Sequence, residues 1–257
     1  MIALEDSLLL LLLIFARIAG LFSTAPVISA RQIPMQVKGM MAFMMALILL
    51  NGRAVALPPQ ITTPGFFVAA LVVEAMVGYA LGLVANVVFA GVQTAGQLMD
   101  MQMGFGIVNV LDPQSGIQLP LLGNFLYILS LMVYLAINGH HYLISAIYQS
   151  YDILPILAMH LNHGFVEFFI HLLGQMFILA IKISIPLVAA MFVADVAMGF
   201  MSRTVPQMNI FVVGLPVKIA GGLIMLLMFM PVYIWLTQVM FENWIPYLDQ
   251  AVYLLGK

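Results

Sequence analysis

The chain has 257 residues, of which only 7% are charged and 64% are hydrophobic, and its formal net charge is −2. A soluble domain carries about a quarter charged residues, so this composition excludes an ordinary water-soluble enzyme and a disordered chain. The absence of Cys excludes a disulfide scaffold, thiolate metal sites and a Cys nucleophile, and the small acidic excess gives no grip on nucleic acid.

What remains is an all-α integral membrane protein, read as a single integral membrane domain over residues 1–257. The first charges are Glu5 and Asp6, and the first basic residue, Arg17, lies inside the apolar run. That order is unlike a cleavable leader and predicts a retained first transmembrane segment. Six apolar segments are expected in all, near 8–22, 35–50, 66–92, 120–137, 166–194 and 217–241. Helix breakers separate them: Pro26 and Pro34, then Pro58, Pro59 and Pro64, then Asn138-Gly139, then Asn162-His163 before Gly164, then Pro206. Arg31, Lys38 and Arg53 cluster around the second segment and point its flanks to the cytoplasm.

Several segments carry charge where lipid would penalise it. Arg17 sits in the first, and Lys182 and Asp195 sit in the fifth. A charge at the bilayer centre costs a few kcal/mol (~3) or more, so these side chains should face protein, water or a partner charge. Lys182 is a candidate partner for Glu74 or Asp195. The placement suits a chain that packs against other chains.

The third segment has a polar and small stripe. At 100° per residue, Glu74, Gly78, Gly82, Asn86, Gln93, Gln97 and Asp100 share a sector of about 140° along a helix of about 40 Å. Gly78 and Gly82 form a Gly-x-x-x-Gly step that permits close backbone approach. The stripe fits a helix–helix seam, or alternatively a face lining a polar passage.

After Asp100 the helical pattern breaks. Gly104, Phe105 and Gly106 precede Asp112-Pro113, Ser115-Gly116 and Pro120, while Ile107, Val108, Val110, Leu111 and Ile117 keep the run apolar. Apolar irregular chain beside membrane helices must be buried in protein or line a cavity. It is either a plug or a buried connector. Met99, Met101 and Met103 just before it suit a compliant seal or ordinary packing.

No catalytic motif is found: no Gly-x-Ser-x-Gly, no His-Glu-x-x-His and no dinucleotide fingerprint. His160, His163, Glu167 and His171 would share a face on a continuous helix, but the Asn162–Gly164 turn separates His160 from the rest. His140-His141 are expected at the membrane interface. No cofactor or metal is expected, and the chain is not read as an enzyme.

The fifth segment runs on through Asp195, Gly199 and Arg203 to Pro206-Gln207-Met208-Asn209-Ile210-Phe211, then Gly214-Leu-Pro216-Val-Lys218. This string closely resembles the Pro-Gln-x-Asn-x-Phe…Gly-x-Pro-x-Lys signature of the FliR family of flagellar export-gate subunits. Arg17-Ile-Ala-Gly-Leu, Glu74…Gly78, Gly91…Gly96-Gln97…Asp100, Gly104-Phe105…Asp112-Pro113, Asn138-Gly139-His140-His141 and Ser150…Pro155 agree in order. The resemblance spans about residues 5–225.

The resemblance implies polytopic helical hairpins packed in a hetero-oligomeric export gate with FliP and FliQ, with FlhB against it and FlhA around it. It implies passage of unfolded rod, hook and filament subunits across a bacterial cell membrane, at the flagellar basal body. It also implies that assembly lifts much of the chain out of the usual membrane plane, with surfaces for both partners and membrane lipid. The expected partner contact is Pro206, Gln207, Asn209, Phe211, Gly214, Pro216 and Lys218. The expected plug is residues 104–118, with Phe105 and Ile107 as seals. A virulence-type secretion gate is the near alternative, and a secondary transporter the distant one.

Overall fold

The structure is a computed structural model. It describes all residues except 1–3, 31, 53–56, 60, 62, 107–119, 161, 206–209 and 257, and at Leu4, Ile210 and Phe211 it describes the backbone alone. Arg31 and Arg53 therefore lie outside the described residues. So do Ile107, Asp112 and Pro113 of the candidate plug and Pro206, Gln207 and Asn209 of the candidate partner contact.

Among the described residues the fold is all helix. The elements are α1 (Leu4–Thr24), α2 (Met35–Gly52), α3 (Pro64–Met103), α4 (Leu121–Ala136), α5 (Gly139–Ile153), α6 (His163–Thr204) and α7 (Ile210–Leu255). Five of them, α1, α2, α3, α6 and α7, are long and apolar enough to cross a membrane. The pair α4 and α5 meets the same criterion together, bent by 68°.

The bend follows from Asn138-Gly139. Asn138 takes the left-handed conformation (φ 58°), which Asn tolerates better than most residues, and α5 starts at the next residue. The α6 start is equally local. The backbone N–H of Phe165 donates to Asn162 Oδ1 at 2.8 Å, a side-chain cap on an otherwise unpaired helix terminus.

Two features differ from the sequence reading. The helix that holds the third apolar segment and the stripe to Asp100 continues past the expected break to Met103. The helix α5 was not expected. Its buried positions Leu143, Ala146, Ile147, Ser150 and Tyr151 recur at helical spacing, but His140, His141, Ser145, Gln149 and Asp152 interrupt the apolar run and hide it from a hydropathy reading.

The chain divides into two compact units. The first comprises Met1–Val87, Asn138–Leu173 and Glu242–Lys257, and the second Val88–Ile137 and Gly174–Phe241. In the first unit, Leu13, Ile14 and Ile18 of α1 are buried together with Val77 and Leu81 of α3, Ile147 of α5 and Ala251 and Leu255 of α7. Trp244 donates its indole N–H to the Val84 carbonyl at 2.8 Å, so its polar edge is satisfied inside the apolar interior.

The second unit has its own core. Met99 and Met103 of α3, Leu122 and Leu126 of α4, Ile183 and Leu187 of α6, and Leu226 and Tyr233 of α7 form one buried cluster. Gly96 of α3 lies against Gly123 of α4, where an added Cβ would come within 2.5 Å of the Gly123 Cα. The two backbones touch there because neither residue has a side chain.

The helices α3, α6 and α7 have 40, 42 and 46 residues. At 1.5 Å per residue each is roughly 60–70 Å long, while a bilayer measures about 40–45 Å with its headgroups. Exposed apolar side chains run from Phe66 to Tyr79 on α3, from Val166 to Phe200 on α6 and from Val212 to Trp235 on α7, whereas Gln97 of α3 and Gln238, Glu242 and Asp249 of α7 are exposed farther along.

Candidate functional site

Three polar arrangements interrupt the apolar interior, two of them in the second unit and one in the first.

The first is built on Arg17 of α1, which is 0% exposed. Its Nε donates to Glu74 Oε2 of α3 at 2.6 Å, its Nη1 to Ser150 Oγ of α5 at 2.9 Å and its Nη2 to the Leu154 carbonyl at 3.1 Å. The guanidinium lies 3.9 Å from the centroid of the Tyr151 ring. Ser150 passes its own hydrogen to the Ile147 carbonyl at 2.7 Å. The other Glu74 oxygen accepts the Leu157 N–H at 3.3 Å, and Leu157 is left-handed (φ 66°). One ion pair thus fixes three helices and the turn that leaves α5. Arg suits the place because its planar fork supplies several fixed donors, which a Lys ammonium does not. Continuing along α3, a Cβ on Gly78 would overlap the Arg17 carbonyl oxygen, and one on Gly82 would come within 2.7 Å of the Leu21 carbonyl oxygen. The stripe positions Glu74, Gly78 and Gly82 are therefore a seam with α1. Asn86 is half-buried.

The second arrangement caps α4 from a distance. Asp100, buried near the end of α3, accepts the Leu122 N–H at 3.0 Å on Oδ1 and 3.1 Å on Oδ2, and the Gly123 N–H at 3.2 Å on Oδ2. These are first-turn amides that no carbonyl within the helix can reach, and Pro120 at the N-cap has no capping side chain. Asp100 therefore supplies the cap that the local sequence lacks. The segment leaving α3 and the segment entering α4 are held at one point. Gly104 turns the chain with φ 90°, and Phe105 packs against the second unit's core. Of the stripe, Gln93 is half-buried and Gln97 is exposed. Of the methionines, Met99 and Met103 are fully buried in that core, with Met103 lying over Gly222 of α7, while Met101 faces outward.

The third joins α3, α6 and α7. Lys218 Nζ lies 2.7 Å from Asp195 Oδ1, with the side chains 16% and 39% exposed. Gln102 Nε2 donates to Asp195 Oδ2 at 3.0 Å. Lys218, the last residue of the family-like string, is thereby fixed to one of the charges expected inside the fifth segment. Gly214 and Pro216 precede it on α7.

Lys182 does not meet the expectation that it pairs with Glu74 or Asp195. Glu74 is taken by Arg17 and Asp195 by Lys218 and Gln102. Lys182 instead lies exposed on α6, with no carboxylate partner among the described residues. The histidines form no metal-binding group among the described residues. His160 precedes α6, and its backbone N–H donates to the Leu255 carbonyl at 2.9 Å.

Sequence reasoning missed Ser150, Tyr151 and the 154–157 turn as partners of Arg17. These residues are 133 or more positions away along the chain, and no local pattern connects them. Gln102 was missed as well, because it lies off the stripe that ends at Asp100.

The helices and their clamps define a polytopic helical membrane protein whose polar groups hold helices together. The chain matches the model of the family described as bacterial export proteins, family 1, over residues 8–244, and it belongs to that family. It is 39% identical over 248 residues to the flagellar biosynthetic protein FliR of Bacillus subtilis, covering 95% of each chain. It is 31% identical to the protein of the same name from Escherichia coli, covering 84% of this chain and 82% of that one. The Aquifex aeolicus protein of that name is 27% identical over 88% of this chain and 87% of its own.

Proposed function

We propose that this chain is the FliR-type subunit of a flagellar export gate, which joins FliP and FliQ to conduct unfolded rod, hook and filament proteins across the cell membrane. The observation that carries the reading is the 39% identity, over 95% of both chains, to a relative named as a flagellar biosynthetic protein. The role is conduction, with no chemistry of its own. FlhB and FlhA are its further neighbours at the basal body.

The long apolar outer face of α6, from Val166 to Phe200, supports an assembled state. A bilayer core of about 30 Å covers only part of that face, which is roughly 50 Å long, so the remaining apolar surface is suited to cover by protein. On this reading the string from Pro206 to Lys218 docks on FliP or FliQ, anchored from within by the Lys218–Asp195 pair. The run 104–118 is the plug, with Phe105 and Ile107 as its seal, Asp100 just before it and the α4 amides that Asp100 holds just after it.

The test is deletion of the gene in its host and return of the wild-type copy. The expected result is loss of hook and filament protein from the culture medium, loss of swimming, restoration by the gene, and recovery of FliP and FliQ with the tagged chain. Normal secretion in the deletion strain, or recovery with the components of a virulence secretion system instead, overturns the flagellar reading.

A further inference from the structure

Two unfavourable features sit side by side in the first unit. Leu157 holds the third place of a four-residue turn, closed by the Ala158 N–H on the Pro155 carbonyl at 3.1 Å. Its φ of 66° suits Gly or Asn at that place and strains a Leu. The Tyr151 hydroxyl, earlier on the chain, is buried with no hydrogen-bond partner among the described residues. Both features lie against one ion pair. The Leu157 N–H donates to Glu74 Oε1, and the Tyr151 ring lies over the guanidinium whose Nε holds Glu74 Oε2.

Glu74 is the acceptor within reach of both donors. Its Oε1 takes a backbone amide at 3.3 Å, a long bond for a carboxylate, whereas Oε2 holds Arg17 at 2.6 Å. A phenolic O–H on Oε1 makes the shorter and stronger bond. Exchange of the amide for the hydroxyl also lets Leu157 return to an ordinary φ. Leu157 is only half-buried, so its freed N–H can turn to water. Packing opposes the exchange. Leu154 and Ile156 are buried on either side of Pro155, and the Leu154 carbonyl is held by Arg17 Nη2 at 3.1 Å. Gains on one side and losses on the other give the near balance that a two-state element requires.

We infer that the Arg17 clamp is a conformational switch, in which Glu74 Oε1 passes from the Leu157 amide to the Tyr151 hydroxyl while Arg17 keeps Oε2. The strained turn is its set position. The unpaired hydroxyl is the donor that takes over when the turn lets go. In the export gate, the reading on which its use rests, the switch loosens the connection between α5 and α6 without opening the seam between α1 and α3.

The experiment uses the full chain, purified in mild detergent, with hydrogen exchange followed across residues 155–158. Tyr151→Phe keeps the ring and removes only the competing donor, so exchange at Leu157 should slow about tenfold. A hydroxyl that merely fills space predicts no change there. Leu157→Gly and Leu157→Ala are melted side by side, because both lose the Leu side chain. At a positive φ the Gly variant should melt higher by about 2 °C or more, the reverse of the usual order. Both Tyr151→Phe and Leu157→Gly favour the set position. In the native host each should lower hook-protein secretion several-fold, Leu157→Gly relative to Leu157→Ala, with recovery of the complex unchanged.

Unchanged exchange at Leu157 in the Tyr151→Phe chain overturns the switch. So does a Gly variant that melts no higher than the Ala variant. Slowed exchange with full secretion from Tyr151→Phe overturns its use in export. The flagellar reading is judged separately by secretion in the deletion strain. Normal secretion there, together with slowed exchange, would overturn that reading and leave the switch standing.

Discussion

Arg17 Nε and Glu74 Oε2 meet at 2.6 Å with both side chains all but closed to solvent. The pair is buried, and Arg17 is completed by a hydroxyl, a carbonyl and an aromatic face. Removal of one partner leaves the other as an uncompensated charge, which costs about 3–5 kcal/mol. Arg17→Met and Glu74→Leu should each lower the melting temperature of the detergent-purified chain, followed by circular dichroism. The double variant should be more stable than either single one. Melting of both single variants at the wild-type temperature would rule out the clamp.

Tyr151 separates the ring from its hydroxyl. The ring faces the guanidinium, but the hydroxyl is buried with no hydrogen-bond partner among the described residues. Tyr151→Phe keeps the cation–π contact and removes an unsatisfied polar group, so it should be neutral or slightly stabilising. Tyr151→Leu should destabilise by roughly 1–2 kcal/mol. Equal effects of the two replacements in the same melting assay would show that the ring does not act on Arg17.

Gly78 and Gly82 allow α1 and α3 to touch at the backbone. A side chain at either must push the helices apart, because the atoms it meets at Gly78 are backbone and cannot rotate away. Gly78→Leu and Gly82→Leu should prevent recovery of the chain in any complex. Gly174 has open space around its Cβ position, and Gly174→Ala should leave recovery unchanged. Failure of Gly174→Ala to accumulate, or normal recovery of Gly78→Leu, would contradict the seam.

The legible part of this fold was what a helix writes along its own length. The close-approach step at Gly78 and Gly82 and the Asn138-Gly139 and Asn162 boundaries lie in a few consecutive residues. The partners of Arg17 did not, because Glu74 and Ser150 are 57 and 133 positions away and nothing in the chain marks which carboxylate Arg17 meets. Asp100 was visible only as the last member of a stripe. Its cap on α4 depends on Pro120 having no side-chain acceptor, a deficit that becomes apparent once the two helices are side by side. Amphipathic α5 escaped for the opposite reason. Its buried face is spaced for a helix, but its exposed face is too polar to register as membrane sequence.

The Asp195–Lys218 pair is partly open to solvent, so screening limits its own contribution to about 1 kcal/mol or less. Its expected importance is positional, since Lys218 closes the family-like string and ties α7 to α6. Asp195→Lys and Lys218→Asp should each reduce secretion of hook protein, and the double exchange should restore part of it. Gln102 would then face an ammonium at position 195 and turn its amide oxygen to accept, so the third member need not be lost. A double variant no better than the worse single one would show that the two charges act independently.

Asp100 lies just before the run 104–119 and holds the first amides of α4 just after it, and this makes the plug testable. Asp100→Asn keeps the size and one acceptor oxygen, but turns an NH2 toward amides that are themselves donors. The α4 start should fray, with faster hydrogen exchange at Leu122 and Gly123 and a loss of about 1–3 kcal/mol. If residues 104–118 seal the passage, loosening their anchor should make cells carrying Asp100→Asn leak small ions, and deletion of Gly106 to Gly116 should make them leak more. Gln97→Leu provides the control on the same helix. Its side chain is exposed, so the variant should assemble, and reduced secretion from it would mean that the amide faces the passage. An intact permeability barrier in the deletion strain would refute the plug, whatever the hydrogen exchange shows.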